Sequence, residues 1–281
     1  DKTKILEEKM GALYGVAQGS HHEPYVVIIE YLNSNQDTAP IALVGKGVCF
    51  DTGGISLKPA NNMWDMKHDM HGSATVVGTL LALAKNKTRT NTIGIVGLVE
   101  NMPGGGAQRP GDIVTSRSGQ TIEMLNSDAE GRLVLADIID YVQDIYKPKQ
   151  LINYATLTGA IVVALGHEYA GLWSNNFKFA NTFVESSYST LDKYWPMPLH
   201  DTFNKGMNSS VADIKNISSP GTGAGSCTAA HFIGRFIKNK TPWIHIDIAG
   251  TAFGCVNSYS LHNGGTGFGI ASTYKFIIES N

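Results

Sequence analysis

A wound α/β sheet is the architecture this sequence predicts, and three observations carry the prediction. Short apolar runs bounded by turn residues alternate with segments of helical apolar spacing; their order is strand, helix, strand; and 281 residues can bury a large core in one domain, residues 1–281. Residues 26–31 and 41–45 read as strands buried in a sheet, with Lys46 at the end of the second. From Ser73 onward Val76, Val77, Leu80, Leu81 and Ala84 recur at helical spacing, and residues 93–99 follow as a buried strand. Leu135, Ile138, Ile139, Val142 and Ile145 mark one face of a second helix, with Asp137, Asp140 and Asp144 turned toward water, and residues 151–154 supply the next strand. Ser226 is placed to cap a helix running to Phe236, and residues 243–248 alternate polar residues with isoleucine as a strand does. No internal repeat, heptad run or low-complexity tract is present.

Composition narrows the partners. Net charge is −2, from 22 basic and 24 acidic residues without a long basic run, so nothing calls for nucleic acid or an anionic membrane, and a small molecule fits better. Cys49, Cys227 and Cys255 lie far apart without a C-x-x-C pair, which gives neither a disulfide framework nor a zinc knuckle and suits a reducing cytoplasm. No apolar run approaches the ~20 residues needed to span a bilayer, and Asp1-Lys2-Thr3-Lys4 has no hydrophobic signal core. The missing initiator Met predicts that the chain begins part-way through a longer polypeptide.

The stretch Asn126-Ser127-Asp128-Ala129-Glu130-Gly131-Arg132-Leu133 carries the chemistry: two carboxylates and an arginine leave one Gly-broken turn at the start of a helix. Upstream, Lys46-Gly47-Val48-Cys49-Phe50-Asp51-Thr52-Gly53-Gly54 and Met66-Lys67-His68-Asp69-Met70 add Asp51 and Asp69. Four carboxylates in apolar surroundings repel one another and take up protons unless a cation holds them, which a divalent metal pair would do. A neutral lysine amine is a nitrogen ligand for zinc, because nearby metal charge depresses its pKa; a lysine kept charged would face an oxyanion instead. Spacing alone leaves open which of Lys46 and Lys58 does which. The segments Gly104-Gly105-Gly106, Gly221-Thr222-Gly223-Ala224-Gly225 and Gly264-Gly265-Thr266-Gly267 lack P-loop and dinucleotide-fold spacing and read as tight turns. His21-His22-Glu23 is not H-E-x-x-H, Pro24 would break the helix that motif needs, and no G-x-S-x-G occurs.

Together these blocks resemble the leucine aminopeptidase (cytosol aminopeptidase) family in its catalytic domain. The resemblance spans nearly the whole chain, from Met10-Gly11-Ala12 and Val16-Ala17-Gln18-Gly19-Ser20 to Asp247-Ile248-Ala249-Gly250-Thr251-Ala252. It implies a zinc-peptidase-like fold, a wound central mixed β-sheet with helices on both faces. It also implies a metalloaminopeptidase that removes the N-terminal residue of peptides, with leucine and other apolar residues preferred, through a hydroxide bridging two metals. By resemblance Lys46, from Val-Gly-Lys-Gly, binds one metal; Asp51, from Phe-Asp-(Ser/Thr)-Gly-Gly, bridges both; Asp69, Asp128 and Glu130 complete the ligand set. Lys58 then stabilises the oxyanion, and Arg132 holds a bicarbonate ion that serves as general base. Met66, Asn126, Thr156, Gly159 and Ala249 are the residues expected to contact substrate. The resemblance implies two zinc ions, with manganese or magnesium exchangeable at one position, and a homo-oligomer, a hexamer or trimer; the weakly charged 221–276 stretch agrees in offering surface for assembly.

Three departures stand out. Ser127 replaces the family's usual Thr and keeps the hydroxyl. His71 and Ser73 stand where many members have Gly and Ala, and His71 reads as a packing or surface histidine, with a role beside the metals or in substrate access as the alternative. The family's N-terminal domain has no counterpart expected within these 281 residues. Two rival functions are another two-metal hydrolase such as a phosphoesterase, whose sites usually recruit histidines, and a non-catalytic DNA-binding or scaffold role, which the net charge of −2 disfavours.

Overall fold

Seven strands form one twisted mixed sheet whose four central members are parallel, and both of its faces are covered by helices. The computed structural model describes residues 1–35, 37–254 and 264–280; Cys255, with part of the 221–276 stretch, lies outside them. The strands are β1 (Tyr25–Leu32), β2 (Ile41–Asp51), β3 (Asn91–Asn101), β4 (Ile113–Thr115), β5 (Thr121–Glu123), β6 (Gln150–Ala155), β7 (Ala170–Ser174), β8 (Tyr194–Pro196), β9 (Ile214–Lys215) and β10 (Trp243–Asp247). The helices are α1 (Lys2–Glu7), α2 (Gly11–Ala17), α3 (His71–Lys85), α4 (Gly131–Tyr146), α5 (Gly159–Leu165), α6 (Phe177–Ser187), α7 (Asp201–Lys205), α8 (Gly225–Gly234) and α9 (Ile270–Glu279), with a 3-10 helix over Met63–His68. The large sheet runs β1-β3-β2-β6-β10-β7-β8, and β4-β5-β9 make a small second sheet. β3, β2, β6 and β10 are mutually parallel, whereas β1 runs antiparallel to β3, and β7 runs antiparallel to β10 but parallel to β8.

A parallel strand covered on both faces must be apolar throughout, and β2 divides its side chains accordingly. Ala42, Val44 and Val48 join a core with Leu13, Val16, Leu135, Ile138, Phe232 and Trp243, on the α2, α4 and α8 face. Ile41 and Leu43 join Val76, Leu80, Phe183 and Phe276 on the opposite face, under α3, α6 and α9. The expected wound α/β sheet with helices on both faces is therefore present.

Four expectations need correction. β1 is an edge strand with alternating half-exposed residues, because nothing pairs with its outer side among the described residues. β2 continues past Gly45 to Asp51, so Lys46 sits mid-strand. Asp137 and Asp140 do not face water: they are 0% and 1% exposed, since the loop before β5 and the α8 end fold over that side of α4. Asp137 accepts the N–H groups of Leu13 and Arg117, both at 2.8 Å, and Asp140 pairs with Arg117 at 2.5 Å and Lys238 at 2.7 Å. Ser226 is the second residue of α8 and caps nothing; the helix follows Ala224, held at φ 49°, without a side-chain cap. Elsewhere Cys49 and Cys227 are free, and among the described residues no helix is long and apolar enough to cross a membrane.

Candidate metal centre

Parallel α/β sheets place their sites beyond the carboxyl ends of the strands, and this one does so. Asp51 ends β2, Asn101 ends β3, Thr156 follows β6 and Asp247 ends β10. Lys46 and Asp51 are five residues apart, so regular pleating would put them on opposite faces. A bulge at Cys49 removes that difficulty. Val48 pairs with Val99 but Phe50 with Glu100, so Lys46, Val48 and Asp51 face across from Gly97, Val99 and Asn101 on one side of the sheet.

Asp69 arrives from the other direction, at the end of the 3-10 helix and just before α3. That helix start lies very close to β6 and β2: a Cβ on Gly72 would come within 2.2 Å of the Tyr154 carbonyl and 2.8 Å of the Lys46 backbone nitrogen. Glu130 immediately precedes α4, and the backbone turn before it presents Asp128. Gly53 at φ 88° and Gly54 at φ 68° turn the chain after β2, and a Cβ on Gly53 would lie 3.0 Å from Asp128 Oδ1.

These approaches bring Asp51, Asp128 and Glu130 together, with one carboxylate oxygen from each within 4.8 Å of the others. Beside them, Lys46 Nζ lies 2.7 Å from Asp69 Oδ2 and 2.8 Å from Glu130 Oε1, and donates to the Thr156 carbonyl at 2.9 Å. Lys58 Nζ lies 2.9 Å from Asp51 Oδ2 and contacts Asp128 Oδ1. Burial works against both ammonium groups, but the facing carboxylates outweigh it and hold both pKa values above the ordinary lysine range. Burial pushes the Asp69, Glu130 and Asp128 carboxyls up, with Lys46 or Lys58 opposing the shift.

The donor set fits divalent cations. Among the described residues Asp69 Oδ2, Asp128 Oδ1 and Glu130 Oε1 are buried and make no hydrogen bond, although each sits at ion-pair distance from a lysine. Hard oxygen donors converging in a pocket with lone pairs unspent are what such an ion requires. Arg132 is 6% exposed and donates from Nη1 to the Asn216 carbonyl at 2.7 Å, while its Nε has no partner among the described residues. It forms no ion pair among the described residues; burial lowers its pKa to about 10, partly offset by Glu130 and Asp247.

The residues predicted to meet substrate are placed unequally. Met66 is half-buried in the 3-10 helix, Ala249 is half-buried against the α5 cluster, and Gly159 opens α5 with free space around it. Asn126 turns inward, its Oδ1 accepting the Asp128 N–H at 2.8 Å. Thr156 donates its hydroxyl to Asp69 at 2.6 Å, so that hydroxyl orients a carboxylate. Ser127 uses the hydroxyl it shares with Thr, donating to the Gly53 carbonyl at 2.6 Å and accepting the Ser56 N–H at 2.7 Å. His71 is engaged in packing: its Nδ1–H donates to the His68 carbonyl, 2.5 Å away, and its ring meets Phe253 edge-on. The Gly104–Gly106 turn and His21-His22 line a separate cleft that contains none of the four carboxylates.

Sequence reasoning missed Asn101, whose Nδ2 donates to Asp51 Oδ1 at 2.8 Å and to the Ser127 carbonyl at 2.9 Å. Its position at the end of a parallel strand beside Asp51 was an available signal. It also missed Asp247, which accepts from Leu157, Ala249 and the Thr158 hydroxyl and so ties the loop after β6 to the loop after β10.

An α/β sheet with four carboxylates and two lysines gathered near its carboxyl edge defines an α/β protein with a candidate metal centre. It belongs to the cytosol aminopeptidase family, whose catalytic domain matches residues 1–274. The chain is 55% identical over 272 residues to the cytosol aminopeptidase of Rickettsia prowazekii, covering 97% of this chain and 54% of that protein. A probable cytosol aminopeptidase of Rickettsia felis is 55% identical over 270 residues, covering 96% and 54%, and one of Rickettsia bellii is 54% identical over 271 residues, again covering 96% and 54%. The chain thus spans about half the length of the curated relatives it matches.

Proposed function

We propose that residues 1–281 act as one dimetal aminopeptidase domain that removes the N-terminal residue, with leucine and other apolar residues preferred, from peptides. The observation that carries this reading is the convergence of Asp51, Asp128 and Glu130 within 4.8 Å, with Asp69 and Lys46 adjoining them; the names of the relatives support it. Asp51, Asp69, Asp128, Glu130 and a deprotonated Lys46 would hold two divalent cations, zinc first, with manganese or magnesium as alternatives at one position. When bound, the cations would polarise the scissile carbonyl and acidify a water, and a bicarbonate at Arg132 would supply a basic oxygen.

The chain's own groups define the remaining roles. Lys46 must release a proton from Nζ to become a ligand, and the carboxylates that now hold that proton compete with the cation for the amine. Lys58 is 21% exposed at its side chain, at the edge of the cluster, and its raised pKa keeps it charged, which supports a role in which its Nζ would donate to a developing oxyanion. Arg132 keeps its charge at neutral pH and has an unpaired Nε, which suits a small planar anion. Met66, Gly159 and Ala249 offer small and apolar walls for the first side chain, with Asn126 and Thr156 shaping the site through Asp128 and Asp69. A cytoplasmic location and a homo-oligomer, hexameric or trimeric, belong to the same proposal.

The test is metal analysis of the purified chain paired with turnover of leucine p-nitroanilide and p-nitrophenyl phosphate in zinc or manganese. The reading requires stoichiometric metal and hydrolysis of the anilide. Hydrolysis of the phosphate ester alone would replace it with the phosphoesterase alternative.

A further inference from the structure

The turn that carries Asp128 and Glu130 has no regular structure to hold it, since β5 ends at Glu123 and α4 begins at Gly131. Asn101 and the Ser127 hydroxyl hold its middle, and a residue about ninety positions away grips both of its sides. Asn216 follows β9, is fully buried, and commits every polar atom it has to this region. Its Oδ1 accepts the N–H of Leu125 at 2.8 Å and of Asn126 at 3.3 Å. Its Nδ2 donates to the Asn126 carbonyl at 2.6 Å and to the Ala129 carbonyl at 3.3 Å. Its own N–H donates to the Glu123 carbonyl at 2.9 Å, and its carbonyl accepts Arg132 Nη1 at 2.7 Å.

A short side chain that both donates and accepts can grip a loop's N–H and C=O groups together, as a neighbouring strand would; a carboxylate or an aliphatic group cannot. Asn126, gripped in this way, in turn holds the Asp128 N–H at 2.8 Å. We propose that Asn216 is a positioning residue that sets Asp128, Glu130 and Arg132 in mutual register for cation binding. The inference rests on the dimetal reading above. Partners behind metal ligands typically alter metal affinity by about 10–100-fold when changed, so the effect should be measurable without turnover.

The experiment compares the full chain with Asn216→Asp, Asn216→Ala and a control, Asn91→Asp. Asn91 is a buried asparagine that clamps a loop in the same manner, donating to the Asn35 and Thr38 carbonyls at 2.7 and 3.0 Å, in a region that supplies none of the proposed ligands. Manganese binding is measured by electron paramagnetic resonance with Mn2+ alone, and melting temperature is measured in chelator. Both Asn216 variants should bind manganese about tenfold or more weakly, while Asn91→Asp melts lower and binds manganese as the unaltered chain does. Unchanged affinity in Asn216→Asp with a melting shift like that of Asn91→Asp would overturn the inference, as would failure of both Asn216 variants to fold, which makes the residue purely structural. An unaltered chain that binds no manganese would overturn the metal reading, and the inference with it.

Discussion

Gly131→Ala puts a methyl group into the space that Lys46 occupies: the new Cβ would lie 2.5 Å from Lys46 Cε, 2.7 Å from Cδ and 2.8 Å from Nζ. Ordinary contact begins near 3.4 Å, so the lysine must retreat by about 0.9 Å. It cannot move freely, because Asp69, Glu130 and the Thr156 carbonyl hold Nζ at 2.7, 2.8 and 2.9 Å in a pocket that leaves Lys46 3% exposed. At an effective dielectric of about 20, lengthening an ion pair from about 2.7 to about 3.6 Å loses about 1.5 kcal/mol, so the two pairs together lose about 3 kcal/mol. Alanine at the start of α4 returns about 0.5–1 kcal/mol of backbone entropy. The net loss of about 2 kcal/mol should lower the melting temperature by about 4–8 °C and leave the chain folded. Metal affinity should fall much further in proportion, by about tenfold or more, since the displaced amine is a proposed ligand. Calorimetric melting in chelator and a zinc titration read the two effects separately. Wild-type zinc affinity in Gly131→Ala would refute the placement of Lys46 in the metal shell.

Four further outcomes follow from the same geometry. Asp128→Ala or Glu130→Ala should abolish anilide hydrolysis and lower bound metal together, as elemental analysis would register, because no neighbour can replace the lost anionic oxygen. Lys46→Met should lose metal, whereas Lys58→Met should keep it and lose turnover by about 10²–10³; equal metal loss in both would end that division of labour. Arg132→Ala should reduce turnover less severely and blunt the response to added bicarbonate, a response that kinetics in bicarbonate-free buffer would measure. Burial pushes Asp137 from its ordinary 3.8 up to about 7, against the N–H groups of Arg117 and Leu13. The folded chain then keeps a proton in that window which the unfolded chain has released, so stability is greatest below it and falls as pH rises through it. Urea unfolding in chelator should show about 2–3 kcal/mol less stability at pH 7 than at pH 5, and Asp137→Asn should flatten that slope.

Much of this protein was legible in the sequence because the signals are local. Apolar spacing in 135–145 located α4 and the run at 93–99 located β3, since both elements bury a face whose period depends only on the chain's own helix or strand geometry. The Asp128-to-Arg132 turn, the Asp51-Gly53-Gly54 corner and Asp69 before α3 were likewise recognisable, as each motif is contiguous. Periodicity could not reveal what covers a face from far along the chain. Asp137 and Asp140 looked solvated by their helical positions and are buried because Arg117 and Lys238 reach them from 20 and 98 residues away. The edge position of β1 is a matter of strand order, to which its own residues are indifferent.

The sequence by itself determined the α/β class, the candidate metal-binding side chains and the family, because residue type and short-range spacing encode them. Tertiary structure alone decided how those side chains meet. The Cys49 bulge puts Lys46 and Asp51 on one side of β2, and Asn101 and Asn216 hold the Asp128 turn across 26 to 91 residues of intervening chain. A hydrogen bond depends on distance and angle in space, and sequence separation carries neither.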